Sequence, residues 1–223
     1  MINIFNKILG FCIRIISITC FRINDSIKLR YNNLRNSIID SEIVQIIIPK
    51  NLSKIIVFIE DRRFFYHLGV DIYSIFRAIF RLVFDNKIEG ASTITQQLVR
   101  TITNDRELTI RRKIREIILA SLIEREFSKE KILRAYFIKY NFSHSIGIHR
   151  FCLKEGYDIN CLNIQEIFEI VARLKYPSIN AKNYTKFLKR VRTIDVLVTK
   201  NNPLFEDNDK NYKRELLSEY SGV

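Results

Sequence analysis

"GASTITQQLVR", residues Gly90–Arg100, gathers small, hydroxyl and amide side chains into one run of a chain that is 47% hydrophobic overall. A core helix repeats apolar residues every three or four positions. Here only Ile94, Leu98 and Val99 can turn inward as apolar side chains. The remaining side chains must meet something polar, and the reading of the fold turns on what that is.

Outside this run the chain is long enough, at 223 residues, for one good hydrophobic core and an appendage. The expected division is a membrane anchor or interfacial helix with a linker at 1–40, one helical domain at 41–200 and a polar tail at 201–223. Charge is unbalanced: 37 Lys and Arg against 24 Asp and Glu give +13 and a pI near 9.7. That excess favours an anionic partner such as nucleic acid, phosphorylated lipid or a membrane surface. With no zinc-finger spacing, no RNP-like strand and no dense basic tail, nucleic acid is set aside.

Cys12, Cys20, Cys152 and Cys161 form no CxxC pair, so they read as buried or lipid-facing thiols. A Cys152–Cys161 bridge is left open for an oxidising compartment. The stretch from Ile8 to Phe21 is apolar but interrupted by Arg14, which leaves it short of the ~20 residues of a clean span. It reads as an uncleaved anchor or interfacial helix, the alternative being an amphipathic helix docked on the protein.

The rest reads as successive helices. Asp71 is placed to cap a stripe of Ile72, Ile75, Phe76, Ile79, Phe80 and Val83, expected to be core, with a lipid-dipping face as the alternative. A helix is predicted from Thr109 to Glu126 and another after Ser128. Asn163 and Glu166 have capping-box spacing, and Pro177 follows to stop that helix. A last helix is predicted from Tyr184 to Lys200, and "VQIIIP", 44–49, is the only strand candidate.

Two segments carry candidate chemistry. In "FIEDRRFFYHLGVD" an apolar lead-in delivers Glu60 and Asp61 to the end of a buried element, beside Arg62, Arg63 and His67. Desolvation and arginine charge there act in opposite directions on a carboxylate, as at functional acids; the bland reading is an exposed acid pair bridged to two arginines. In "RRKIREIILA", helical spacing puts Arg112, Lys113 and Glu116 on one face. This is either a solvated i,i+4 pair or an anion clamp containing an acid, suited to a pyrophosphate bridged by a divalent cation, Mg or Mn, at Glu116.

Taken in order, "EDRRFFYHLGVD", "GASTITQQLVR" and "RKIREIILASLIEREFSKEKILRAYF" resemble the first three motifs of the peptidoglycan glycosyltransferases, glycosyltransferase family 51, over roughly Ile47–Leu197. The resemblance implies a mostly α, lysozyme-like glycosyltransferase fold with an N-terminal membrane-associated helix. It implies polymerisation of lipid-linked disaccharide (lipid II) on the outer face of the bacterial cytoplasmic membrane, with inversion and release of undecaprenyl pyrophosphate. Glu60 would be the general base for the acceptor 4-hydroxyl. Glu116 would be the second glutamate, supporting the departing pyrophosphate or its metal, with Lys113 beside it. Asp61, Phe64 and His67 match the pocket-shaping positions of the first motif, and Ser92, Thr93, Thr95, Gln96, Gln97, Arg100 and Arg112 would serve substrate binding. Gly90 would allow the backbone a close approach. With the sequence ending at Val223, a transpeptidase is expected as a separate partner.

The departures begin just before the third segment and continue through its end into the fourth. Leu108 replaces an expected Arg, with Arg106 and Arg111 nearby to substitute. Tyr136-Phe137-Ile138 lacks the family's Asn, and Phe151 and Cys152 occupy small-residue positions. The alternatives are a non-catalytic or divergent relative that binds another polyprenyl-linked oligosaccharide or a cell-wall partner, and a lytic enzyme of the same fold class.

Overall fold

The computed structural model describes residues 2–39, 48–105, 107–140, 142 and 147–201, with side chains from Asn6 onward. Among these residues the regular structure is helical: α1 (Ile2–Ile23), α2 (Asp25–Ile39), α3 (Lys50–Glu60), α4 (Ile72–Phe84), α5 (Ile94–Thr103), α6 (Ile110–Glu126), α7 (Lys129–Lys139), α8 (Ile148–Lys154), α9 (Ile164–Arg173) and α10 (Tyr184–Asn201). Two 3-10 turns, Phe64–Tyr66 and Ile159–Cys161, complete the set. The chain is thus mostly α, as read. The strand candidate at 44–49 falls largely outside the described residues, as do Arg106 and the tail beyond Asn201.

The chain gathers into two compact units interleaved in sequence, Met1–Gln45 with Arg63–Tyr136, and Ile46–Arg62 with Phe137–Val223. The boundary falls inside α7.

In the first unit α6 is the central helix, packed by α1, α2 and α5. Its N-terminus is set by Thr109, whose hydroxyl accepts from the Arg112 amide, an exchange that satisfies one of the orphan donors of the first turn. Toward the C-terminus Ile118, Leu119, Leu122 and Ile123 are buried. Against it lies α5, the "STITQQL" run. Thr93 accepts from the Gln96 amide while the Gln96 side chain accepts from the Thr93 amide, a reciprocal cap. Every residue from Ile94 to Val99 is buried, including Thr95, Gln96 and Gln97. The run is a core helix after all, and its polar side chains look at polar groups of the protein itself.

Helix α1 is laid along this unit, in contact with α6, α2, α4 and the Phe64–Tyr66 turn. Polar contacts fix it. Asn6 Nδ2 donates to Asp71 Oδ1 at 2.9 Å, the Tyr73 amide donates to Asn6 Oδ1 at 3.1 Å, and Arg14 donates to the Glu124 carbonyl at 3.1 Å. Its other face, with Ile8, Phe11, Ile15 and Ile16, is exposed. No described helix is long and apolar enough to cross a membrane.

Helix α4 corrects the expectation of a core stripe. Asp71 caps it as read, accepting from the Ser74 amide. Only Ile72 is buried, however, whereas Phe76, Ile79, Phe80 and Val83 are each more than half exposed. Amphipathic periodicity shows that a helix has an apolar face, and it carries no information about what covers that face.

In the second unit α9 contacts both α3 and α10. Buried side chains from each, Leu52, Ile55 and Ile56, then Ile167, Ile170 and Val171, then Phe187, Val191 and Ile194, supply its core. Asn163 and Glu166 form the capping box that starts α9. Gly147 is required: a Cβ there would sit 1.8 Å from the Ile138 carbonyl oxygen. Phe151 and Cys152, the large residues at small positions, are buried, and Phe151 meets Phe142 edge-on at 4.7 Å under the Arg173 guanidinium. All four cysteines are free, so the Cys152–Cys161 bridge is not formed.

Candidate active site

Glu60 is the last residue of α3, in the second unit, and its carboxylate is 16% exposed. Arg190 of α10 donates to its Oε1 at 3.2 Å. Sequence reading missed Arg190, because nothing in its own stretch distinguishes it from the other basic residues of a solvated helix. The next residue, Asp61, ends α3 and is buried at 6% exposure. Arg62 lies over the Phe58 ring at 5.0 Å.

The remaining first-motif residues belong to the first unit. Arg63 donates to Asp71 Oδ2 at 2.9 Å and to the Ser74 hydroxyl at 2.9 Å. Burial would raise the Asp71 carboxyl, but the hydrogen bonds from Arg63, Ser74 and Asn6 outweigh it and bring the pKa down from 3.8 to about 2. Phe64 and His67 are fully buried and meet edge-on at 6.1 Å, while the Gly69 amide donates to His67 Nδ1 at 3.1 Å. Gly69 has φ +94°, and a Cβ would lie 2.7 Å from the Ala120 carbonyl oxygen. This turn admits only glycine. Gly90 does not behave in this way: a Cβ there would meet nothing within 4 Å.

Glu116 is the centre of the second cluster, entirely within the first unit. Its carboxylate is 2% exposed, so the solvated-pair reading does not hold. Arg112 donates to Oε1, Lys113 Nζ lies 3.3 Å from Oε2, and Arg100 reaches within 4.0 Å of Oε1. Lys113 also donates to Ser92 Oγ at 2.9 Å and to Gln96 Oε1 at 2.8 Å. Burial pushes the Lys113 ammonium below its ordinary value, an effect Glu116 partly reverses. Among the described residues, Arg112 Nε and Gln96 Nε2 are buried donors without a hydrogen-bond partner. Among the described residues, three cations face one carboxylate, leaving two surplus positive charges, and the orphan groups beside them are donors. Such a site suits an anion with many acceptor oxygens.

A divalent cation needs oxygen donors instead. Among the described residues no group of three or more His, Cys, Asp or Glu is arranged to hold a metal. The protein groups around Glu116 alone therefore do not make a cation site.

The second-motif side chains are divided. Ser92 and Arg100 are partly exposed. Thr93 donates to the Gly69 carbonyl at 2.8 Å, Thr95 to Glu124 Oε1 at 2.5 Å, and Gln97 Oε1 accepts from the fully buried Tyr136 at 2.9 Å. Glu124 was also missed in the sequence, where Glu124-Arg125-Glu126 reads as the charged end of a solvated helix. Leu108 is almost fully exposed and Arg111 is exposed.

Residues 32–198 match the family described as Transglycosylase. The chain is 38% identical over 137 residues to penicillin-binding protein 1F of Bacillus subtilis, covering 59% of this chain and 19% of that protein. It is 34% identical over 161 residues to penicillin-binding protein 1A of Clostridium perfringens, covering 66% and 24%. A shorter match, 46% identical over 91 residues, is to penicillin-binding protein 1B of Buchnera aphidicola, covering 40% and 12%. The chain thus spans about a quarter or less of the length of these curated relatives. With three-quarters of its length matched, the chain belongs to the transglycosylase family and carries a peptidoglycan glycosyltransferase domain.

Proposed function

We propose that the chain polymerises a lipid-linked disaccharide, lipid II, into peptidoglycan glycan strands at the outer face of the bacterial cytoplasmic membrane, on a lysozyme-like fold. Glu60 takes the proton of the acceptor sugar's 4-hydroxyl. The oxygen forms its new bond to the donor's anomeric carbon as the bond from that carbon to the pyrophosphate breaks, with inversion, and undecaprenyl pyrophosphate leaves. Arg100, Arg112 and Lys113 receive the negative charge that develops on the leaving group, and Glu116 holds Arg112 and Lys113 in place for it.

The observation that carries this reading is the buried Glu116 cluster with its surplus positive charge and its two orphan donors, Arg112 Nε and Gln96 Nε2. These are the groups a pyrophosphate would engage. No step is assigned to a divalent cation, which would have to arrive with the phosphate oxygens. The exposed apolar residues of α4 and those of α1 support a membrane-surface location. A transpeptidase would cross-link the product.

The experiment is to incubate the full chain in detergent with labelled lipid II, resolve products by length, and determine the anomeric configuration of the new linkage by NMR. A ladder of strands with configuration opposite to the donor's is expected. Retained configuration would refute the inverting mechanism, and the lipid bound without a ladder would favour a binding relative.

A further inference from the structure

Glu124 carries no role in the reaction proposed above, yet it is a buried carboxylate, 2% exposed, on which three of the motif side chains converge. Thr95 Oγ1 donates to its Oε1 at 2.5 Å, and His67 Nδ1 lies 3.9 Å from the same oxygen. Lys129 Nζ sits 2.5 Å from Oε2 and at the same time 4.5 Å from the centre of the Phe64 ring. The Glu124 backbone carbonyl accepts from Arg14 of α1. All of these groups lie in the first unit.

A carboxylate this deep is costly unless it is paired and hydrogen-bonded, and Glu124 is both. A salt bridge needed only to fasten α6 to α7 would be complete with Lys129 alone. Here one oxygen is given to Thr95 of the second motif, next to His67 of the first, and the countercharge is placed on the face of Phe64, also of the first. Low local dielectric strengthens the Thr95 hydrogen bond and the Lys129 ion pair.

We infer that Glu124 is a positioning residue that, with Lys129 as its countercharge, fixes Thr95 and Phe64, beside His67, in the geometry the reaction uses. Its kinetic consequence rests on the glycosyltransferase reading, whereas its structural consequence does not. Glu124→Gln leaves an oxygen for the Thr95 hydroxyl but leaves Lys129 uncompensated. Adding Lys129→Met removes both charges and with them the buried unpaired ion.

The experiment measures kcat and KM on lipid II, Tm, and amide hydrogen exchange over 64–70 and 93–98 for the wild type, Glu124→Gln and the double variant. Glu124→Gln is expected to lose about 10–100-fold in kcat with KM within about two-fold, since small misplacements around reacting groups act on the chemical step. The double variant should recover Tm while kcat stays low and exchange over both segments stays fast. Wild-type kcat and exchange in Glu124→Gln, or recovery of kcat together with Tm in the double variant, would overturn the inference and leave Glu124 a structural ion pair. If the wild type makes no polymer, the functional reading fails by itself. The exchange data then decide the positioning: faster exchange in a double variant of normal Tm supports it, and unchanged exchange overturns it.

Discussion

Arg190 donates a 3.2 Å hydrogen bond to Glu60 Oε1 across 130 residues of sequence. The pair joins the C-terminal end of α3 to α10 within one unit, and it orients the carboxylate proposed as general base. Both side chains are partly exposed, so solvent screens the ion pair and its contribution to stability is about 1 kcal/mol or less. Arg190→Met is therefore expected to move the urea midpoint little and to lower kcat about ten-fold through loss of orientation. Initial rates beside an unfolding curve check this. A rate equal to wild type would show that Glu60 is oriented by other contacts.

Asp71 gives a prediction about acid. Its pKa of about 2 in the folded chain lies below the ordinary 3.8. A carboxyl with a depressed folded pKa contributes stability that is present above the unfolded value and is lost as pH falls through the folded one. The window is therefore about pH 4 to 2, and the contribution is on the order of 2 kcal/mol. Asp71→Asn keeps an N-cap oxygen for the Ser74 amide but gives up the charge facing Arg63. Urea midpoints from pH 6 to 2 should converge for the two proteins at the acid end and separate above pH 4.

At Lys113 the direction is the reverse of the usual stabilised lysine. Burial holds the ammonium below its ordinary 10.5, with Glu116 opposing. The proposed role needs the charged form, so kcat/KM should fall as pH rises through the lowered value, short of 10.5. Stability moves the other way in that window, because the unfolded lysine still holds its proton and the folded one has released it. The alkaline loss of rate should thus appear without unfolding. Lys113→Arg, at a lower rate, should lack this limb. A wild-type pH–rate profile with no limb below 10.5 would remove Lys113 from the charge-carrying set.

Much of the helical frame was legible because caps and periodicity are local. Asp71, Thr109, Ser128 and the Asn163–Glu166 pair start the helices they were expected to start. The Arg112, Lys113 and Glu116 face was legible for the same reason, since spacing of three and four on a helix fixes neighbours. What sequence could not supply was contact over distance. Arg190 reaches Glu60, Asn6 reaches Asp71, and Glu124 gathers Thr95 and Lys129 only once the chain is folded. Helix α5 was obscured because its buried Thr and Gln side chains violate the apolar pattern, and they do so because their partners lie on α6 and α7.

The exposed face of α4 makes a prediction about surfaces. Phe76, Ile79, Phe80 and Val83 lie open to solvent, with Arg77 and Arg81 beside them paired to Glu89 and Asp85. Phe76→Ser with Phe80→Ser should leave Tm nearly unchanged, since exposed positions move stability by only about 0.5 kcal/mol. Binding to vesicles of mixed neutral and anionic lipid should fall at least about ten-fold in a co-sedimentation assay, since fully burying one Phe side chain is worth about 1.5–3 kcal/mol and two are removed. A large drop in Tm with unchanged vesicle binding would place this face against protein instead.

The central claim is that Glu60 acts as the general base of a glycan-polymerising reaction, and Glu60→Gln tests it most directly. The amide keeps the shape and an acceptor for Arg190 while losing the base. Assayed with labelled lipid II beside the wild type, the variant is predicted to bind the lipid with similar affinity and to form no ladder of strands, a loss of at least about 100-fold. A ladder from the variant equal to that of the wild type would contradict the account.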